Sequence, residues 1–209
     1  MNASASDLLL AEFIHRSAND FAVACAEIHL ASRMPSLSAT QERLERVVMR
    51  LHALASIQRM LQPPRASVID LGNALCELCH HSAEARFADQ GAFIRLRTCE
   101  GLVDSKRGLA VLMIVSELLT NAARHAFYGP GGLVEIDVTR ADEMIHCRIS
   151  DNGAGVSPDP AKRRTGTAII AELARGAGIV FTMPPADSGS RFELRVPALD
   201  GAIATSSRD

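Results

Sequence analysis

Ser116-Glu117-Leu118-Leu119-Thr120-Asn121-Ala122-Ala123-Arg124-His125 is followed, thirty residues after Asn121, by Asp151-Asn152-Gly153-Ala154-Gly155. Glu117 and Asn121 stand four apart, and positions i and i+4 of a helix share a face, so a carboxylate and an amide oxygen project together. That pair suits a hydrated Mg²⁺, which takes one or two protein oxygens and keeps its waters and phosphate ligands. Asp151 ends the apolar run Met144-Ile145-His146-Cys147-Arg148-Ile149-Ser150 as a strand-end carboxylate does, free to accept a bond from an exocyclic amine. Gly153 and Gly155 let the backbone turn sharply and approach a ligand closely. The plainer reading is a polar stripe on an amphipathic helix and an unrelated Asp-Asn-Gly turn. The two halves in this order favour a nucleotide site.

The 209 residues leave room for one or two domains with a proper core. A hydrophobic share of 47% with 22% charged residues describes a globular, soluble chain. A net charge of −2 supplies no electrostatic case for nucleic acid or an anionic membrane. No apolar stretch reaches the roughly 18 residues of a spanning helix, and Met1–Asp7 lacks the basic and apolar segments of a signal peptide. A cytoplasmic location is the expectation.

Five cysteines in such a chain argue for free thiols. Cys76-Glu77-Leu78-Cys79-His80-His81 contains the C-x-x-C-H string of haem attachment and resembles half a zinc site. Haem attachment requires export, and Cys25, Cys99 and Cys147 offer no second ligand pair at matching spacing. With Leu71, Leu75 and Leu78 on one face of a helix over 70–87, small core cysteines are the expected reading.

The first sixty residues read as a helical hairpin. At 100° per residue, Leu10, Phe13, Ile14, Ser17, Phe21, Ala24, Cys25 and Ile28 gather on one side, with Glu12, His15 and Asn19 opposite. Pro35 and Ser36–Thr40 make the turn, and Ser38 with Gln41 is a candidate capping box. The second helix repeats Leu44, Val47, Leu51, Leu54 and Leu61 near a heptad spacing, and Pro63-Pro64 ends it. One hairpin cannot bury both stripes, whereas two make a four-helix bundle, so a homodimer is expected. From about Val68 the pattern becomes mixed. Helices over 70–87, 106–127 and 167–176 and strands over 92–97, 133–140, 144–151, 179–183 and 190–196 predict an α+β sandwich with a mostly antiparallel sheet.

The motif pair resembles the ATP-binding domain shared by sensor histidine kinases, Hsp90-type chaperones, MutL and type II topoisomerases. The resemblance implies ATP and Mg²⁺, with Asn121 chelating the metal, Glu117 acting on a water or hydroxyl, and Asp151 reading adenine. Gly153, Gly155, Gly166, Thr167 and Gly189 join the nucleotide-binding set on the same ground. His125, at i+4 from Asn121, either lines that site or is a helix C-terminal histidine favoured by the dipole.

Glu12-Phe13-Ile14-His15-Arg16-Ser17-Ala18-Asn19-Asp20 resembles the His-Arg-x-x-Asn phosphoacceptor box of one histidine kinase subfamily. That implies His15 as phosphoacceptor, Arg16 as neutraliser of the phosphoryl group, and Asn19 as the residue orienting the ring or a water. Residues 2–63 then form the dimerisation and phosphotransfer hairpin and 68–197 the ATP-binding domain. The implied partner is a response-regulator receiver domain, whose aspartate takes the phosphoryl group, and a separate sensor protein is compatible with the absence of a sensory segment. Ala168 in Thr165-Gly166-Thr167-Ala168-Ile169 departs from the family's second glycine, and Ala18 stands where the subfamily often has Lys. Two alternatives follow: a histidine phosphotransferase or receiver phosphatase with a degenerate ATP domain, and a serine kinase acting as an anti-sigma factor.

Overall fold

The computed structural model describes residues 5–127, 131–155, 160–186 and 188–199, with the side chains of 5–17 and 160–167 outside the described set. Two long helices open the chain, α1 (Ala5–Ala31) and α2 (Leu37–Met60), packed as a hairpin. Arg50 on α2 reaches Glu27 on α1 at 2.8 Å. The cap of α2 is Ser36, not the expected Ser38: Ser36 is extended and its hydroxyl accepts from the Ala39 N–H at 3.3 Å. The helix therefore starts one turn-residue after Pro35, and Ser38 already lies within its first turn.

Strand β1 (Val68–Asp70) pairs antiparallel with β3 (Leu102–Asp104), a two-stranded ribbon too short to show alternation in the sequence. Each strand ends in an aspartate that caps the helix after it. Asp70 accepts from the N–H groups of Gly72 and Asn73 at 3.0 and 3.4 Å and opens α3 (Leu71–Ser82). Asp104 accepts from the Arg107 N–H at 3.0 Å and opens α4 (Ser105–His125). Such caps satisfy amide groups that a helix start leaves unpaired. The helix expected over 70–87 is α-helical only to Ser82; a π turn over Ala83–Phe87 completes it and carries Ala85 and Phe87 into the core.

Five strands form the main sheet in the order β2 (Ala92–Arg97), β4 (Gly132–Ala141), β5 (Met144–Asp151), β7 (Ser190–Pro197), β6 (Val180–Thr182). Only β2 runs parallel to its neighbour. Alternation sets the faces: Val134, Ile136, Val138, Ile145, Cys147, Ile149, Leu194 and Val196 are buried under the helices, and the residues between them look outward. On the outer face the parallel register puts Arg95 against Glu135 and Arg97 against Asp137, at 2.9 and 2.5 Å. A slip of one residue would turn these charges into the core. α3, α4 and α5 (Pro160–Ala177) cover the inner face in the α+β arrangement expected. α5 begins seven residues earlier than expected, with Pro160 at its first position, where a fixed φ and a missing N–H cost nothing.

The hairpin is not an appendage. Ala53, Leu54 and Ile57 of α2 sit in the same core as Leu71, Leu75, Phe87 and Val111. Higher up, Phe21, Ile28, Val48 and Met49 remain exposed in the single chain. Among the described residues no helix is long and apolar enough to cross a membrane.

Candidate nucleotide site

α4 is the central helix of the inner layer, and its burial explains why Glu117 is only 7% exposed. One turn on, Asn121 is half-buried and its Nδ2 donates to Glu117 Oε1 at 3.1 Å. That bond fixes the amide plane: its nitrogen faces the carboxylate, and no described group donates to Oδ1. The carbonyl oxygen is thus presented as a neutral hard donor, the kind of ligand Mg²⁺ accepts.

Asp151 ends β5 on the face that carries Ile149 and Cys147, so its side chain points towards the helix layer. Oδ1 accepts from the Gly153 N–H at 2.9 Å, folding the chain back on itself and leaving the second oxygen for a further donor. The glycines around it are required by contact. A Cβ on Gly153 would meet the Ala126 carbonyl oxygen at 2.3 Å, and one on Gly189 the Asp151 carbonyl oxygen at 1.7 Å. Gly155 and Gly189 also have φ of +79° and +66°, which favours glycine.

Two residues without an expected role assemble this corner. The Ala126 carbonyl, just past the end of α4, accepts from the Ala154 N–H at 2.9 Å and ties the helix bearing Asn121 to the turn bearing Asp151. Asn152 Oδ1 accepts from the Leu133 N–H at 2.8 Å, holding the turn to β4. The string Asp-Asn-Gly signalled a turn, but an alanine carbonyl carries no sequence signal at all.

The remaining candidates are distributed unevenly. His125 lies in the last turn of α4 and is exposed. Gly166 and Thr167 fall inside α5 rather than in a loop before it, and the side chain of Thr167 lies outside the described residues. His15 and Arg16 lie on α1, their side chains likewise outside the described set, and Asn19 is half-buried on the same helix. α1 touches α5. Of the two cysteines expected in the core on α3, Cys79 is buried there but Cys76 is exposed. Cys147 on β5 is also a core residue, and burial pushes the Cys79 and Cys147 thiols up to about 12.

Residues 95–189 match the family described as Histidine kinase-like ATPase domain, a span that runs from β2 to the glycine beside Asp151. That stretch is similar to a histidine kinase-like ATPase domain. Among curated proteins, it is 27% identical to blue-light-activated histidine kinase 2 of Erythrobacter litoralis over 205 residues, 93% of this chain and 58% of that protein. It is 25% identical to the sensor histidine kinase PdtaS of Mycobacterium tuberculosis over 152 residues, 72% of this chain and 30% of that protein. The chain thus spans between about a third and three-fifths of the relatives it matches. Among solved structures, a bacterial phosphotransferase shares the fold with a TM-score of 0.65 at 13% identity, covering 93% of this chain and 98% of that one. Within that matched stretch, Glu117, Asn121, Asp151 and the glycines at 153, 155 and 189 converge on one corner between α4, the end of β5 and the start of β7.

Proposed function

We propose that this chain is a two-component histidine kinase core that uses Mg-ATP to phosphorylate His15 and hands the group to a receiver aspartate. The observation that carries the reading is the Glu117–Asn121 bond facing the Asp151 corner. A metal-binding oxygen and an adenine-reading carboxylate stand on two elements stapled together by Ala126. Asn121 Oδ1 would hold Mg²⁺, which neutralises phosphate charge during transfer. Asp151 would orient the adenine, and Glu117, buried beside Asn121, would position the attacking group. His15 attacks the γ-phosphorus with an imidazole lone pair as the bond to the ADP oxygen breaks, a role suited to neutral imidazole near pH 7. Arg16 would offset the phosphoryl charge, and Asn19 would orient the ring or a water. His125, Gly166, Thr167 and Gly189 complete the expected nucleotide set. Residues 2–63 serve as the dimerisation and phosphotransfer hairpin and 68–197 as the ATP-binding domain. The exposed Phe21 and Ile28 support a homodimer through a four-helix bundle.

One observation favours a second reading. α5 runs unbroken through Gly166, Thr167 and Ala168, where a flexible second glycine loop would be expected. That supports a histidine phosphotransferase or receiver phosphatase with the same architecture and a weakened nucleotide site. Incubation of the purified chain with γ-labelled ATP and Mg²⁺ separates the two. The kinase yields acid-labile, base-stable label that disappears in His15→Gln while the fold persists. No label from ATP, with rapid exchange between His15 and a phosphorylated receiver, selects the phosphotransferase. Label that survives His15→Gln rules out the assignment of His15.

A further inference from the structure

Away from the nucleotide corner, the end of α3 places His80, His81 and Glu84 together. One ligating atom from each lies within 4.8 Å of the others. His80 Nε2 is 3.5 Å and His81 Nδ1 3.8 Å from the two oxygens of Glu84. These separations exceed a good hydrogen bond. They are close to another geometry: an ion held tetrahedrally by bonds of about 2.0–2.2 Å has donor–donor edges of about 3.3–3.6 Å, a range that contains the His80–Glu84 separation and that the His81–Glu84 separation slightly exceeds. His81 Nδ1 is shielded from solvent and has no hydrogen-bond partner among the described residues, so it has a lone pair or proton with nothing to serve. Glu84 sits in the π turn, a rare helix widening found frequently at functional sites.

We infer that His80, His81 and Glu84 form a binding site for a borderline divalent transition-metal ion such as Zn²⁺, with a position left open to water. Two imidazoles and one carboxylate are a donor set that suits zinc and its neighbours better than Mg²⁺ or Ca²⁺, which prefer all-oxygen shells. The two cysteines of the neighbouring C-x-x-C string are not ligands. Cys79 points into the core, and Cys76 falls outside the cluster. Glu84 also lines a cleft with Arg43, Arg46 and Arg50 of α2. The site therefore borders the seam between the hairpin and the rest of the fold.

The test uses the full chain, stripped of metal with a chelator. Zn²⁺ affinity and stoichiometry are read by competition with a chromophoric chelator, and geometry by the absorption of the Co²⁺-loaded protein. One equivalent is expected to bind. Glu84→Gln and His80→Asn should each weaken binding by at least about tenfold, the lower end of what even an outer-shell partner contributes. Both side chains are largely exposed, at 47% and 66%, so circular dichroism should stay unchanged. Cys76→Ser should leave the affinity unaltered, and the Co²⁺ spectrum should lack a thiolate charge-transfer band. No zinc binding at micromolar metal, binding unaffected by both ligand substitutions, or a thiolate band abolished by Cys76→Ser would each overturn the site.

Discussion

Gly189 lies so close to Asp151 that a methyl group on its Cα would fall 1.7 Å from the Asp151 carbonyl oxygen and 2.9 Å from its Oδ1. The start of β7 therefore forms a wall of the corner in which the Asp151 carboxylate is held, and that wall tolerates no side chain. Gly189→Ala is expected to cost about 1–3 kcal/mol from the left-handed backbone alone, with more from the collision, and to remove nucleotide binding with it. Denaturant unfolding and calorimetry with an ATP analogue measure both. A variant as stable as the parent would contradict the contact.

Asp151 and Asn121 should fail in different ways. Asp151→Ala removes both the anchor of the Gly153 N–H and the acceptor proposed for adenine, a charged hydrogen bond of about 1.5–3 kcal/mol, or roughly 10–150-fold in affinity. Asn121→Ala should leave adenosine binding nearly intact while blunting the dependence of ATP affinity on Mg²⁺. Titrations of adenosine and ATP, with and without Mg²⁺, distinguish the two; identical losses in both variants would count against separate roles.

Asp104 links stability to pH. Burial alone would raise its pKa, but the N–H and guanidinium bonds from Arg107 together outweigh this and hold the carboxyl below its usual range. The folded value is depressed, so the stabilisation is present above the unfolded value near 3.8 and is lost as pH falls through the folded one. Asp104→Ala should cost about 0.5–2 kcal/mol at neutral pH as a lost helix cap. The gap between variant and parent should close in acid. A gap that stays constant with pH would mean the carboxylate charge is not what caps α4.

Cysteine reactivity should follow burial. Cys79 and Cys147, whose thiols burial pushes up to about 12, should resist alkylation in the native protein, while Cys25 and Cys76 are exposed. Mass spectrometry after brief labelling near pH 8 gives the order. If the bundle forms, Cys25, on the apolar side of α1, should react more slowly as protein concentration rises.

The dimer itself is open to substitution at residues the single chain leaves bare. Phe21 is 60% exposed and Ile28 44%, so Phe21→Glu with Ile28→Glu should spare the fold of one protomer and abolish a paired hairpin. Light scattering should then read a monomer with an unchanged circular dichroism spectrum. A parent protein already monomeric at micromolar concentration would remove the case for the bundle.

Local periodicity was enough to reveal the helix bearing Glu117 and Asn121, the strand ending at Asp151, the hairpin and the sandwich class. Each of these depends on which side chains share a face within a few residues. Ladder partners lie beyond that reach. β1 and β3 are three residues each and become strands only because they pair with one another across the chain. The parallel pairing of β2 with β4 joins segments forty residues apart, and no local pattern records it. The same holds inside the site. The residue types that contact a nucleotide were legible from their chemistry, but the Ala126 carbonyl that joins their two elements acts through its backbone, which every residue possesses. The long-range backbone hydrogen bonds were decided by tertiary packing, because they depend on where the chain goes rather than on what it is made of.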